Sequence, residues 1–167
     1  MAATMDKRAA GPFRRNGFTL LEVMVATVIV GIGVAGMMGA TQSNTRVNAA
    51  GCDLTQATYL LGEIREWSMK LPFADPNGHA PGTENPPNDV SDFLNVTFSP
   101  PRDACGQQIA GMVGWSQIVS AQWKNPASLQ TNVAAGASDV VRITVTIRHN
   151  SATVLASSWN VVRRPGT

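Results

Sequence analysis

Histidine, cysteine and charge are all scarce in this chain. Its 167 residues hold two histidines, His79 and His149, and both fall in segments that read as loops. Neither joins a cluster with metal-ligand spacing, and no glycine-rich phosphate loop is present. With no catalytic constellation in view, the chain is expected not to be an enzyme and to hold no cofactor. Charged residues make up 14% against 44% apolar ones, for a net charge of +2. That small surplus does not mark a nucleic-acid binder, and four of the basic residues crowd into the first 17 positions, so the rest of the chain sits near neutrality. No internal repeat is visible, which leaves one ordinary domain and whatever anchors it.

What the chain does have is a long apolar run. Residues 18–40 read FTLLEVMVATVIVGIGVAGMMGA, and Glu22 is the only ionisable group among them. As a helix rising about 1.5 Å per residue, this stretch spans roughly 34 Å, enough for a hydrocarbon core of about 30 Å. The preceding MAATMDKRAAGPFRRNG sets Lys7, Arg8, Arg14 and Arg15 against Asp6. By the positive-inside tendency that flank stays cytoplasmic and everything after residue 40 is exported. A secretory signal peptide is the competing reading, but the run is longer than an ordinary signal core and no clean A-x-A site follows it. Met5 is an alternative start.

A carboxylate inside a membrane span is costly and usually has a partner. Glu22 gains some tenths of a kcal/mol to about 2 from the positive end of the helix dipole. A cut between Gly17 and Phe18 would place a new amine on Phe18, four residues before Glu22, at the spacing where helix side chains meet. The amine of a neighbouring copy would serve as well. Glu22 is therefore expected to be a docking group within an assembly.

The order of basic leader, Gly17, Phe18, Thr19, Leu20, Leu21, Glu22 and then an apolar helix resembles the type IV prepilin leader, shared by pilins and by the pseudopilins of type II secretion. The resemblance spans roughly residues 11–50. It implies cleavage after Gly17 by a prepilin peptidase that also methylates the amine of Phe18, Glu22 as an assembly contact, and packing of apolar helices in a filament core. Partners would be other pilins or pseudopilins and the inner-membrane assembly machinery. The glycine-rich end GIGVAGMMGA is closer to PilV-type minor pilins than to the I-type minor pseudopilin. The function so implied is a structural one: a minor pilin that enters or primes a type IV pilus, with the pseudopilin as alternative. The location would be the bacterial inner membrane, single-pass with the N-terminus cytoplasmic, and then the filament. A membrane-anchored exported binding module is the reading from another class, and it would keep its leader.

Beyond the span, Val47, Ala50, Leu54, Ala57, Leu61, Ile64, Ser68 and Leu71 recur at spacings of three and four, with Asn48, Gln56, Glu63, Glu66 and Lys70 opposite. Leu60 and Trp67 widen the stripe. One helix is expected from about Phe18 to Lys70, ended by Pro72. Residues 72–92 are dense in Pro, Gly, Asn and Asp and read as a loop. Short alternating strands follow around Leu94–Phe98 and Val113–Trp123, then Val141–Ile147, with a turn at 149–152 into Thr153–Val162. A helix followed by an antiparallel sheet is an α+β plan, and the resemblance predicts the same ladle-shaped pilin fold. The expected divisions are leader 1–17, membrane and filament-core helix 18–40, exported helix 41–71, and a head formed by 72–167 with 41–71.

Two features stay open. Cys52 and Cys105 lie in the exported part, where disulfides form. Yet Cys52 falls on the polar side of the helix, so a bond between them and two independent thiols both stand. Asp75, Glu84, Asp89 and Asp92 offer oxygen ligands of the sort calcium takes, but their spacing matches no calcium loop and a solvated loop is preferred.

Overall fold

The computed structural model of the protein describes residues 17–164. The rest of the expected leader, residues 1–16, lies outside the described residues, as do residues 165–167. Two compact units divide at Arg46 and Val47.

The first unit is helical from Leu20, the start of helix α1 (Leu20–Lys70). Thr19 sets that start: its carbonyl accepts Glu22 N at 3.0 Å and Val23 N at 3.2 Å, while its Oγ1 accepts Glu22 N at 3.3 Å. A threonine cap thus takes up donors that the first turn cannot satisfy internally. The helix starts two residues after the expected Phe18 because Thr19 is the cap. From Gly17 to Arg46 every residue is exposed, including Leu20, Ile32 and Met37. The helix is long and apolar enough to cross a membrane. Further along, threonine hydroxyls bond back to carbonyls one turn earlier: Thr41 to Met37 at 2.9 Å, Thr45 to Thr41 at 3.0 Å and Thr55 to Gly51 at 2.9 Å.

The second unit is a five-stranded antiparallel sheet covered by the end of α1. Its strands are β1 (Val96–Phe98), β2 (Trp115–Asn125), β3 (Ser128–Asn132), β4 (Val140–His149) and β5 (Ala152–Val162). They are ordered β1-β2-β4-β5, with β3 paired to the far end of β2. The register sets Gln117 opposite Ile147, Val119 opposite Val145, Ala121 opposite Ile143 and Trp123 opposite Val141. Successive side chains alternate between faces, so all eight of these point the same way and all are buried. The intervening Ser116, Ser120, Thr144 and Thr146 are only half-buried. The turn from β4 to β5 is Asn150–Ser151, with φ of 48° and 68°, the pair of positive values that a tight two-residue hairpin needs.

On the helix, Ala57, Leu60, Ile64, Trp67 and Ser68 are buried against this face. The stripe is narrower than the periodicity implies, since Val47, Ala50 and Leu54 are exposed. It is also turned towards Leu60 and Trp67, so that Glu63, expected on the wet side, is half-buried and accepts Ala104 N at 2.6 Å. Trp67 packs edge-on to Phe93 at 5.2 Å and beside Phe98 at 5.6 Å. Gly106, at φ 77°, lies under the same indole: a Cβ there would sit 2.8 Å from the ring, so only glycine fits. Gln117 is fully buried and stitches three elements together. Its amide donates to Leu60 O and Arg102 O, both at 3.0 Å, and its Oε1 accepts Arg102 N at 2.7 Å.

Two strand expectations are corrected. Leu94 lies outside β1, because Val90–Phe93 form a 3-10 turn that buries Val90 and Phe93. The strand β3 was not expected at all: its residues are exposed throughout and show no alternation.

Candidate functional site

The residues around the expected processing position begin the described chain. Gly17, Phe18 and Thr19 precede the helix, and Phe18 is 83% exposed. Glu22 is the third residue of the helix, and its own N–H is the one the Thr19 hydroxyl caps. Thr-x-x-Glu is the sequence signature of a capping box, a signal that the reading of Glu22 as a membrane anomaly passed over. An acidic group in the first turn also faces the positive end of the helix dipole. The local fold therefore accommodates Glu22 at the helix mouth, next to exposed Leu21, Val25 and Ile29. Because Phe18 lies before the cap, its backbone is outside the helical repeat that the four-residue spacing assumed.

Among the described residues, the glycines of the apolar run, Gly31, Gly33, Gly36 and Gly39, meet nothing within 4 Å of where a Cβ would stand. Packing among the described residues does not require them to be small.

In the second unit the four loop acids do not gather as a set. Asp89 is buried and caps the 3-10 turn by accepting Ser91 N. Burial pushes its carboxyl above the usual range, partly offset by the bond to Ser91 and reinforced by nearby Asp92. Asp92 is also buried, and takes Glu84 N and Asn88 N at 3.3 Å each. Asp75 and Glu84 do meet, but around His79. The imidazole Nδ1 is 2.6 Å from Asp75 Oδ2 and 2.9 Å from Glu84 Oε1. The Asn77 N–H, at 2.6 Å from Asp75 Oδ1, is the main cause holding that carboxyl below its ordinary range, with His79 adding to it.

The second histidine, His149, also has a defined setting: it stacks on Trp115 at 4.4 Å between ring centres, and its Nδ1 is 3.3 Å from Asp53 Oδ1. Tyr59 is raised above its ordinary value, chiefly by the negative charge of Glu63 one turn away. Cys52 and Cys105 are exposed free thiols. Cys105 belongs to the loop that packs at Glu63 and Trp67 through Ala104 and Gly106. Cys52 stands eleven residues before Glu63 on the helix, about 16 Å along its axis.

Residues 12–38 match the prokaryotic N-terminal methylation motif. That match supports a type IV prepilin-like family, pilin or pseudopilin in general, whose members are structural rather than catalytic. The motif implies processing by a prepilin peptidase and assembly with other pilins, and with the long apolar helix it fits anchoring in the inner membrane. No curated protein and no solved structure matches the chain.

Proposed function

We propose that the protein is a minor pilin: cut between Gly17 and Phe18, N-methylated at Phe18, and built into a type IV pilus through residues 18–40. Residues 41–71 would continue the helix outside the membrane, and the head made with 72–167 would be displayed on the filament. The observation that carries this reading is the methylation motif over residues 12–38, which runs into the first half of α1, where every apolar side chain up to Arg46 is exposed. Exposed apolar surface of that extent calls for lipid or for other helices. Lipid first and a helical bundle afterwards is the sequence of environments a pilin meets. In the bundle Glu22 would pair with the Phe18 amine of its own or a neighbouring chain.

Intact-mass measurement on membrane-extracted protein tests the processing. A chain beginning at N-methylated Phe18 is expected, and Met1 or Met5 at the mature N-terminus overturns the proposal. The role of Glu22 is tested separately by Glu22→Leu. Membrane content and cleavage should hold, since a costly polar group is removed from the span. Incorporation into filaments should fall at least about tenfold, because an amine in a low-dielectric core loses its counter-charge. Incorporation at the wild-type level would return Glu22 to a capping role. Deleting the gene separates pilus from pseudopilus: loss of surface pili supports the minor pilin, and loss of protein secretion with pili intact supports the pseudopilin.

A further inference from the structure

The loop after α1 holds a group of side chains that the filament reading does not use. Asp75, His79 and Glu84 each bring one ligand atom to a point where all lie within 4.8 Å of one another. His79 Nδ1 stands between Asp75 Oδ2 and Glu84 Oε1, at 2.6 and 2.9 Å. One imidazole nitrogen carries at most one proton, so a single hydrogen is shared between two carboxylates. Asp75 has other support, from the N–H groups of Asn77 and His79 at 2.6 and 2.7 Å. Glu84 does not: its Oε2 is buried without a hydrogen-bond partner among the described residues. The other such oxygen, Asn88 Oδ1, belongs to the same loop. Buried acceptors are normally satisfied, and one that is not asks for a missing donor or cation.

We propose that Asp75, His79 and Glu84 bind a divalent first-row transition metal of the zinc type, which pins the two ends of this loop together. Two carboxylates and a neutral imidazole sum to a charge that a dication cancels. The metal would take the place of the shared proton, so binding releases a proton whenever the imidazole is charged. An imidazole nitrogen with two carboxylate oxygens is a donor set for zinc and its neighbours, at about 2.0–2.2 Å from the ion, with remaining positions left to water. Calcium fits poorly, since it takes six to eight oxygens and no nitrogen. The ligands are held from behind. Asp75 is fixed by a turn in which Gly78 N donates to Asp75 O at 3.3 Å, and the backbone of Glu84 is held by buried Asp92. The His79 side chain is 53% exposed, so it has an open route for the ion and freedom to make the shift of about 1 Å that brings all three atoms to bonding distance.

The full chain, purified in detergent and stripped with a chelator, is titrated with zinc chloride and, in parallel, with calcium chloride, by calorimetry and by thermal unfolding. One zinc per chain at micromolar concentration and a higher Tm are expected, with no response to calcium at the same concentration. His79→Gln and Glu84→Gln should each weaken zinc binding at least about tenfold, while a Cys52→Ser, Cys105→Ser double variant keeps it. His79→Gln is the safer of the two for folding because its side chain is half exposed, and circular dichroism checks both. No zinc binding up to about 1 mM, binding that His79→Gln retains in full, binding lost with the cysteines, or tighter calcium than zinc each overturn the site.

Discussion

Residues 17–46 and residues 47–164 treat apolar side chains in opposite ways. In the first stretch Leu20, Val25, Ile32 and Met37 are as open as an isolated helix leaves them. In the second, Ile64, Phe93, Val119, Ile143 and Val145 are fully covered. Composition alone does not account for this, because the covered set comes from segments with fewer apolar residues per turn than the open one. The difference is a second layer. The sheet provides a facing surface for one side of α1 from Ala57 onward, and each large side chain buried there contributes about 1.5–3 kcal/mol. The first stretch has apolar surface on every side, and that surface must be met by lipid or by other chains.

Paired truncations in the two regions should break the comparison most sharply if it is wrong. Ile143→Ala removes a fully buried side chain from the centre of β4, and is expected to cost about 2–5 kcal/mol. Met37→Ala, at a site 75% exposed, should leave unfolding of the second unit unchanged. Thermal unfolding of the full chain in detergent, followed by tryptophan fluorescence, reports on both, since all four tryptophans lie between Trp67 and Trp159. A shift in both variants, or in neither, would mean the regions do not differ as described.

A smaller effect concerns Asp89. Its folded-state pKa is raised, first by burial. For such a group stability is greatest below the unfolded value, 3.8, and is lost as pH rises through the folded value. Asp89→Asn keeps an acceptor for the Ser91 N–H and removes the titration. Its stability relative to wild type should therefore rise as pH climbs through that window and then level off. Urea unfolding at several pH values checks the sign; a relative stability that falls with rising pH contradicts it.

The smallest expected change lies in the β4–β5 hairpin. Ser151 holds φ 68°, a region that costs an ordinary residue about 1–2 kcal/mol relative to right-handed backbone. Ser151→Gly makes the turn Asn-Gly, the preferred pair, at the expense of greater freedom in the unfolded chain. A net gain of about 0.5–1 kcal/mol is expected, read as a rise in Tm. Loss of stability would show that the serine is held by something other than the turn.

Strand β4 was legible because Val, Ile, Val and Ile at 141–147 alternate with Arg and Thr, and one face is covered. Strand β3, Ser-Leu-Gln-Thr-Asn, was not, because it has no covered face to impose a pattern. Gln117 sits at an inward parity between Trp115 and Val119, but a polar residue there signals nothing until Arg102 and Leu60 arrive as its partners. The helical stripe extended too far back because periodicity reports which side chains share a face, not where the covering layer ends. At the N-terminus, the basic leader and Gly17–Glu22 were plain in the sequence and agree with the matched motif. Its threonine cap was equally readable and was missed. The meeting of His79 with Asp75 and Glu84 depends on a loop closing on itself, and spacing alone does not describe that closure.

Between the apolar run and the first buried helical residue, Ala57, lie the sixteen residues from Thr41 to Gln56, nearly all of them exposed. Their threonines turn hydroxyls back onto helix carbonyls, a habit that weakens and bends helices slightly, and no second layer backs them. Under a pull along the chain, this stretch has almost no buried contact to lose as it extends. Sixteen residues passing from about 1.5 Å to about 3.4 Å each add roughly 30 Å, a length the chain gains without uncovering any side chain of the sheet's core.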